Sequence, residues 1–435
     1  MKKIALSLLA FACVLIGLGP LYAQSPEDAK FQKMIETYMD GMWKFYPTAA
    51  TLAGFTKYND RLEDLGSGAV EKHHDALDAF NKELVAKVDR SKLSPENQTI
   101  HAIMVDALDL EFVKFENLLP WEYNPLFYND IFFNSVRGLL MKDSAPLDAR
   151  VKSATERAKL LPALIKKAKE NLKTPAQIYT ETAIKQIPAI IDFYRTEVPI
   201  LTAAAAARNG FQAEIGKVIA ALEDYQIFLK NELLAKSTGN FRLGADTHLR
   251  ILRMLSQGSI PMEELVARTN ADVKNIRREM FLVGIPFYRV MYPNINLEQM
   301  TTQRGEEEVR NIVIKGVLDK IKSEHAGKDD LVNRIAASAA NIKAFLIQSK
   351  LFDVPAADLK VEAMPTASAG VVWTRLVAPG AYEPDGTYTL QVMPVPAGWT
   401  KEQAEAFMTD HNNFYLDFLT VQKVFPGPFV PTFFT

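Results

Sequence analysis

Cysteine is almost missing from this 435-residue chain: the only one is Cys13. It sits in an apolar N-terminal stretch, so a chain cleaved after that stretch carries no thiol. Disulfides, thiolate metal ligands and a cysteine nucleophile are then excluded. Histidine is scarce, with six in all, and no two are spaced as a ligand pair. Charge of either sign is in small excess. A formal net charge of −2, without a basic block, argues against nucleic acid as a partner. Past residue 23 there is no apolar run long enough to span a bilayer. No segment repeats at a period of 30–50 residues, which excludes a solenoid.

What is present begins with a leader pattern. Lys2-Lys3 give a basic start, Ile4 to Gly17 an apolar core, and Leu21-Tyr22-Ala23 a small-residue cleavage point. Gly17, Gly19 and Pro20 interrupt the run too early for a membrane span. Val14-Leu15-Ile16 continue it past Cys13, which weakens a lipidation reading. The expectation is a signal peptide over 1–23 and a periplasmic or secreted product. Loss of Lys2 and Lys3 takes the formal charge from −2 to −4. The remaining 412 residues (435 less 23) can fill two or three packed lobes.

From Lys30 onward the pattern is mostly helical. Phe31, Met34, Ile35 and Met39 fall at three- and four-residue steps. Further helices are predicted over Val70–Val85, Glu96–Phe115 and Pro261–Met280, and one over Leu331–Leu351. Three more lie within Pro146–Lys236. The last of these shows Ile215, Val218, Ile219, Leu222, Leu229 and Leu233 on one face, and the alanines at 203–207 suit close helix packing. The aromatic run Trp121–Leu140 reads as core or as a cleft wall, since Asn124-Pro125 breaks it and Tyr123 and Tyr128 carry polar ends. Alternation after Pro355 predicts a small sheet at 359–395. A final helix is predicted over Thr400–Val421, capped by Thr400 with Gln403. The domain reading is a helical body over 24–355 and a smaller lobe over 356–435.

Several stretches together resemble a bacterial family catalogued as domain of unknown function 885. They are FYPTAATLAGFTKYNDRLEDLG (Phe45–Gly66), NFRLGADTHLRILR (Asn240–Arg253), KVEAMP with AYEPDGTYTLQVMPVPAGW (within Lys360–Trp399), and LTVQKVFPGPFV (Leu419–Val430). The resemblance implies a mainly α fold with a small sheet, like the N-terminal part of a zincin-like helical metallopeptidase. It also implies zinc held by a His-Glu-x-x-Pro-Gly-His motif, followed by helices with further acidic and histidine residues.

Here Gln422, Lys423 and Pro428 occupy the positions of that motif's first histidine, glutamate and second histidine. A neutral amide, a cation and a ring without a donor replace two imidazoles and a proton-accepting carboxylate. The expectation is that no catalytic or metal site is intact and no cofactor is bound. Function then reads as a pseudoenzyme or fragment of a zinc-peptidase-like family, or as a non-catalytic peptide-binding or scaffold protein. Asp246, His248 and His411 are the other candidates for polar chemistry. His411 lies eleven residues before Gln422, about 16 Å along one helix, too far to share a site. For His73-His74 and His101 the reading is a solvated helix face or an unpaired group rather than a ligand set. The chain ends seven residues after Pro428. The apolar tail of Phe425, Phe429, Val430, Phe433 and Phe434 is expected to be mobile, the alternative being that it folds back near Tyr388 and Leu390.

Overall fold

Five of the first six helices open on proline, a residue that suits a helix start because its missing N–H would have no intrahelical partner there. The computed structural model describes residues 25–434 except 257, 259, 384 and 385, so the leader reading and Cys13 lie outside the described residues. The fold is mainly helical with one three-stranded sheet near the C-terminus, as periodicity predicts.

The body comprises α1 (Pro26–Phe45), α2 (Pro47–Leu52), α3 (Ser67–Lys87), α4 (Pro95–Val113), α5 (Pro120–Tyr123) and α6 (Pro125–Met141), followed by α7 (Leu147–Asn171), α8 (Gln177–Asp192) and α9 (Arg208–Phe228). One core runs through all of it, from Phe31 and Ile35 to Phe132, Phe211 and Leu222. Its only fully buried cation is Arg157 on α7 among the described residues. The guanidinium donates to the carbonyls of Arg61 (2.7 Å), Ser135 (2.9 Å) and Pro47 (2.9 Å), and to Thr51 Oγ1 (2.6 Å). Nearby, Thr48 donates from N–H and Oγ1 to the two oxygens of Glu63, both at 2.9 Å. The Phe45–Gly66 stretch is thus a buried polar joint between α2 and α7. Burial pushes the Glu63 carboxyl up, and the nearby Arg157 opposes that shift.

A helical arm follows, built from α10 (Ala245–Ser256), α11 (Met262–Met291), α12 (Leu297–Arg304) and α13 (Glu306–Ile321). Its core is small, with Tyr288, Val309 and Val313 fully covered. Arg250 ties α10 to Asp109 on α4 (3.0 Å) and to Glu116 just beyond that helix (3.0 Å).

The C-terminal lobe holds α14 (Leu331–Ser349), β1 (Leu359–Ala363), β2 (Thr374–Val377), β3 (Tyr388–Val392), α15 (Lys401–Asp410), α16 (Asn413–Lys423) and α17 (Phe429–Phe434). Strand order is β1-β3-β2, with β3 parallel to β1 and antiparallel to β2. Alternation divides the sheet into two faces. Val361, Leu376, Leu390 and Val392 meet Leu331, Ile335, Met408 and Leu416 on one side. On the other, Glu362, Gln391 and Arg375 form one row across the three strands. Helix α14, counted with the body in the sequence reading, shares this lobe's core.

Four features differ from expectation. The last predicted helix is two, because Asn412 accepts the Tyr415 N–H (3.1 Å) and starts a second one. The alanines at 203–207 form turns rather than a helix, with only Ala205 buried. Helix α11 runs through Pro286 to Met291. The tail is packed: Phe425 and Phe429 are fully buried, and Phe429 lies 4.9 Å from the Tyr388 ring in an edge-on contact. Burying two phenylalanines against the sheet is worth several kcal/mol by area, which outweighs the freedom of a loose end.

Candidate functional site

At the motif positions the chain makes a turn. Helix α16 ends at Lys423, and the Gly427 N–H returns to the Val421 carbonyl (3.2 Å). A Cβ at Gly427 would lie 2.4 Å from the Gln422 carbonyl oxygen, so only glycine fits. Gln422 and Lys423 are exposed and Pro428 is half-buried, while Val424, Phe425 and Phe429 point into the lobe core. An exposed amide, an exposed ammonium and a proline do not fit a zinc centre. Among the described residues no group of three His, Asp, Glu or Cys is placed to hold a metal ion.

The histidines are dispersed. Asp246 and His248 are exposed on α10. His411 ends α15 between the rings of Trp373 (4.6 Å) and Phe407 (3.9 Å), and burial lowers its pKa. His73 is no solvated residue: it stacks on Phe45 at 3.9 Å, and burial, with Lys114 and His74 nearby, drives its pKa down to about 4. His74 stands 4.0 Å from Glu116, and His101 lies against Phe31.

The concave site lies elsewhere, between the body and the polar face of the sheet. A cleft of about 660 Å³ is bounded by the end of α4, by α5, α6 and α8, by Gly239–Leu243, and by the sheet-lobe residues Ala367, Ser368, Val371 and Arg375. The aromatic run serves both uses that its sequence allowed. Trp121, Tyr128 and Phe132 are core, whereas Tyr123, Phe127 and Phe133 line the cleft. The 240–253 stretch divides similarly. Its first four residues form cleft wall, and Arg250 anchors the arm.

Charged groups enter this cleft from separate elements. Lys114 is paired with buried Glu111, which also accepts from Tyr46 Oη (3.1 Å). Burial, with Glu111 beside it, raises the Tyr46 pKa well above its usual value. Asp130 on α6 opens into the cleft and accepts from Asn134 (2.9 Å). The enclosing walls push its carboxyl up against the opposing pull of Arg375. Arg375 uses Nε (3.2 Å) and Nη2 (2.6 Å) to hold Gln391, whose amide donates to Glu362 (3.1 Å). Burial lowers the pKa of both Arg375 and its neighbour Arg137. The arrangement offers one anion, Asp130, and three cations, Lys114, Arg242 and Arg375, at the ends of apolar and aromatic walls, a setting that suits a ligand with both charged and apolar parts.

Loops secure the two sides. Tyr382 N–H donates to the Ala53 carbonyl (2.9 Å), Trp43 Nε1 to Tyr382 Oη (3.2 Å), and Gln186 to the Ala369 carbonyl (2.8 Å). Lys142 bridges the Leu52 carbonyl (2.6 Å) and Glu383. A Cβ on Gly380 would come within 2.3 Å of the Ala53 carbonyl carbon, so this docking demands glycine.

The family described as bacterial protein of unknown function (DUF885) matches residues 47–427. Two solved structures share the fold. One is described as a candidate lipoprotein of unknown function from Shewanella oneidensis, 20% identical, with a TM-score of 0.69 over 92% of this chain and 71% of the other. The second, a candidate lipoprotein from Colwellia psychrerythraea, is 12% identical, with a TM-score of 0.56 over 91% of this chain and 71% of its own. None of the curated proteins matches the chain.

Proposed function

The chain belongs to the DUF885 family, and from that premise we propose that it is an exported peptide-binding member whose zinc-motif positions have lost their donors. The observation that carries the reading is the separation of the two places where chemistry was sought. The exposed Gln422 and Lys423 stand outside the cleft lining, whereas Asp130, Lys114 and Arg375 converge on the cleft. Asp130 suits a peptide ammonium, and Lys114 and Arg375 suit a terminal or side-chain carboxylate. The tyrosine and phenylalanine walls suit apolar side chains.

Export is supported by the leader pattern over 1–23 and by the two structural relatives described as candidate lipoproteins. Among the described residues no helix is long and apolar enough to cross a membrane. Likeness to zinc peptidases rests on the motif resemblance, and the replaced donors support a pseudoenzyme.

Titration calorimetry with di- to tetrapeptides, beside elemental analysis of the purified protein, tests this. Binding without hydrolysis is expected, with less than one zinc per chain. Arg375→Met and Asp130→Asn should each weaken binding by about tenfold, the cost of one charge-assisted hydrogen bond. Stoichiometric zinc together with peptide turnover would overturn the reading.

A further inference from the structure

Helix α11 carries apolar residues on two faces, and among the described residues only one is covered. Phe281, Gly284, Ile285 and Tyr288 pack toward α13. Around the helix, Val266, Val273, Met280 and Phe287 recur every seven residues, with Ile276, Val283 and Val290 interleaved three residues after the last three of them. All seven are exposed, by 38–81%. This is the a/d pattern of a two-stranded seam, with Thr269 at the remaining d position. A face meant for water does not hold such a register over seven turns of helix.

We propose that this stripe pairs with the same stripe of a second copy, in parallel and in register, to make a two-fold dimer. Charge selects both the partner and the direction. Flanking the stripe, Asp272 and Glu279 take g positions, and Arg277 the e position between them. In a parallel pair, g meets the e position five residues on in the partner. Asp272 of each copy therefore faces Arg277 of the other, two opposite-charge contacts by symmetry. Antiparallel pairing would set g against g and so bring acids against acids. Within one copy Arg277 hydrogen-bonds Asn311 on α13, so it lies at the edge of the stripe and exchanges that partner for Asp272 of the second copy when the dimer forms. Seven large side chains meeting their twins approach the roughly 800 Å² per partner that stable interfaces bury.

The test uses the full chain with Cys13→Ser, so that an introduced thiol is unique. Sedimentation across a concentration series is expected to show a monomer–dimer equilibrium. Ile276→Cys, a d position, is expected to form a disulfide with its twin on oxidation. Asp272→Arg and Arg277→Asp should each weaken dimerisation by about tenfold, and the double swap should restore it. Ile276 is half exposed, so Ile276→Asp should keep the melting temperature while abolishing the dimer. Four results would overturn the proposal. They are a monomer at about 100 μM, a dimer indifferent to Ile276→Asp, charge swaps without rescue, and flotation of the monomer with phosphatidylglycerol vesicles that Ile276→Asp abolishes.

Discussion

The body and the arm are both helical, yet they are held in different ways. The body buries whole aromatic side chains and a guanidinium that joins four separate segments. The arm fully covers three large apolar side chains and leaves most of its longest helix in solvent. Helical periodicity is equally clear in both. Periodicity reports that a face is apolar, whereas stability depends on what covers that face. The two regions should therefore respond to perturbation on different scales.

The largest effect is expected at Arg157. Arg157→Met removes a buried donor from the Pro47, Arg61 and Ser135 carbonyls and leaves Glu63 without its cation. A loss of about 3–5 kcal/mol is expected, seen as a fall in the melting temperature of the whole body by circular dichroism. Retention of the wild-type transition would remove the distinction between body and arm.

The C-terminal lobe provides an intermediate case. Phe429→Ala should cost about 3 kcal/mol, as for other buried phenylalanines, and denaturant titration would show it. A mobile tail would make the substitution nearly silent.

Acid should act on the body through His73. Its folded pKa of about 4 lies below the unfolded value near 6.5. The neutral ring therefore contributes stability that is complete above pH 6.5 and lost as pH falls towards 4, at up to about 1.4 kcal/mol per pH unit. Burial lowers His101 in the same direction. His73→Phe should flatten this slope in urea titrations between pH 4 and 6.5, and an unchanged slope would contradict the assignment.

The smallest global effect belongs to the arm. Val313→Ala should cost about 1 kcal/mol and speed amide hydrogen exchange in α11 and α13, leaving α7 and α9 unchanged. Faster exchange throughout the chain would show that arm and body open together.

Much of the fold was legible because its signals are local. Thr400 and Gln403 make the capping box that their spacing predicts. Ile215, Val218, Leu222, Leu229 and Leu233 are buried as one face. The sheet falls within 359–395. The break at Asn412 was missed because the apolar pattern continues across it, and only the cap geometry separates the two helices. The cleft was legible only as the wall alternative for the aromatic run. Tyr46, Lys114, Asp130 and Arg375 lie on four distant segments, and no spacing rule links them. A faint signal existed in Asp130 and Arg137, two charges within the helical, aromatic part of the run. The tail differs from expectation for an energetic reason: the lobe core beside the sheet already covers Phe425 and Phe429.

The contact between Ala53 and Tyr382 has a consequence for the order of events during synthesis. The segment bearing Ala53 leaves the ribosome long before the turn that must dock on it is made. More than three hundred residues separate them, so the loop joining these ends closes late and at an entropic cost that local helices do not carry. Body helices can form while the chain grows, but the cleft has no far wall until residues 366–383 arrive. An emerging chain cannot hold a ligand there. Slow closure would leave the polar row of Arg375, Gln391 and Glu362 wet until the last stage of folding.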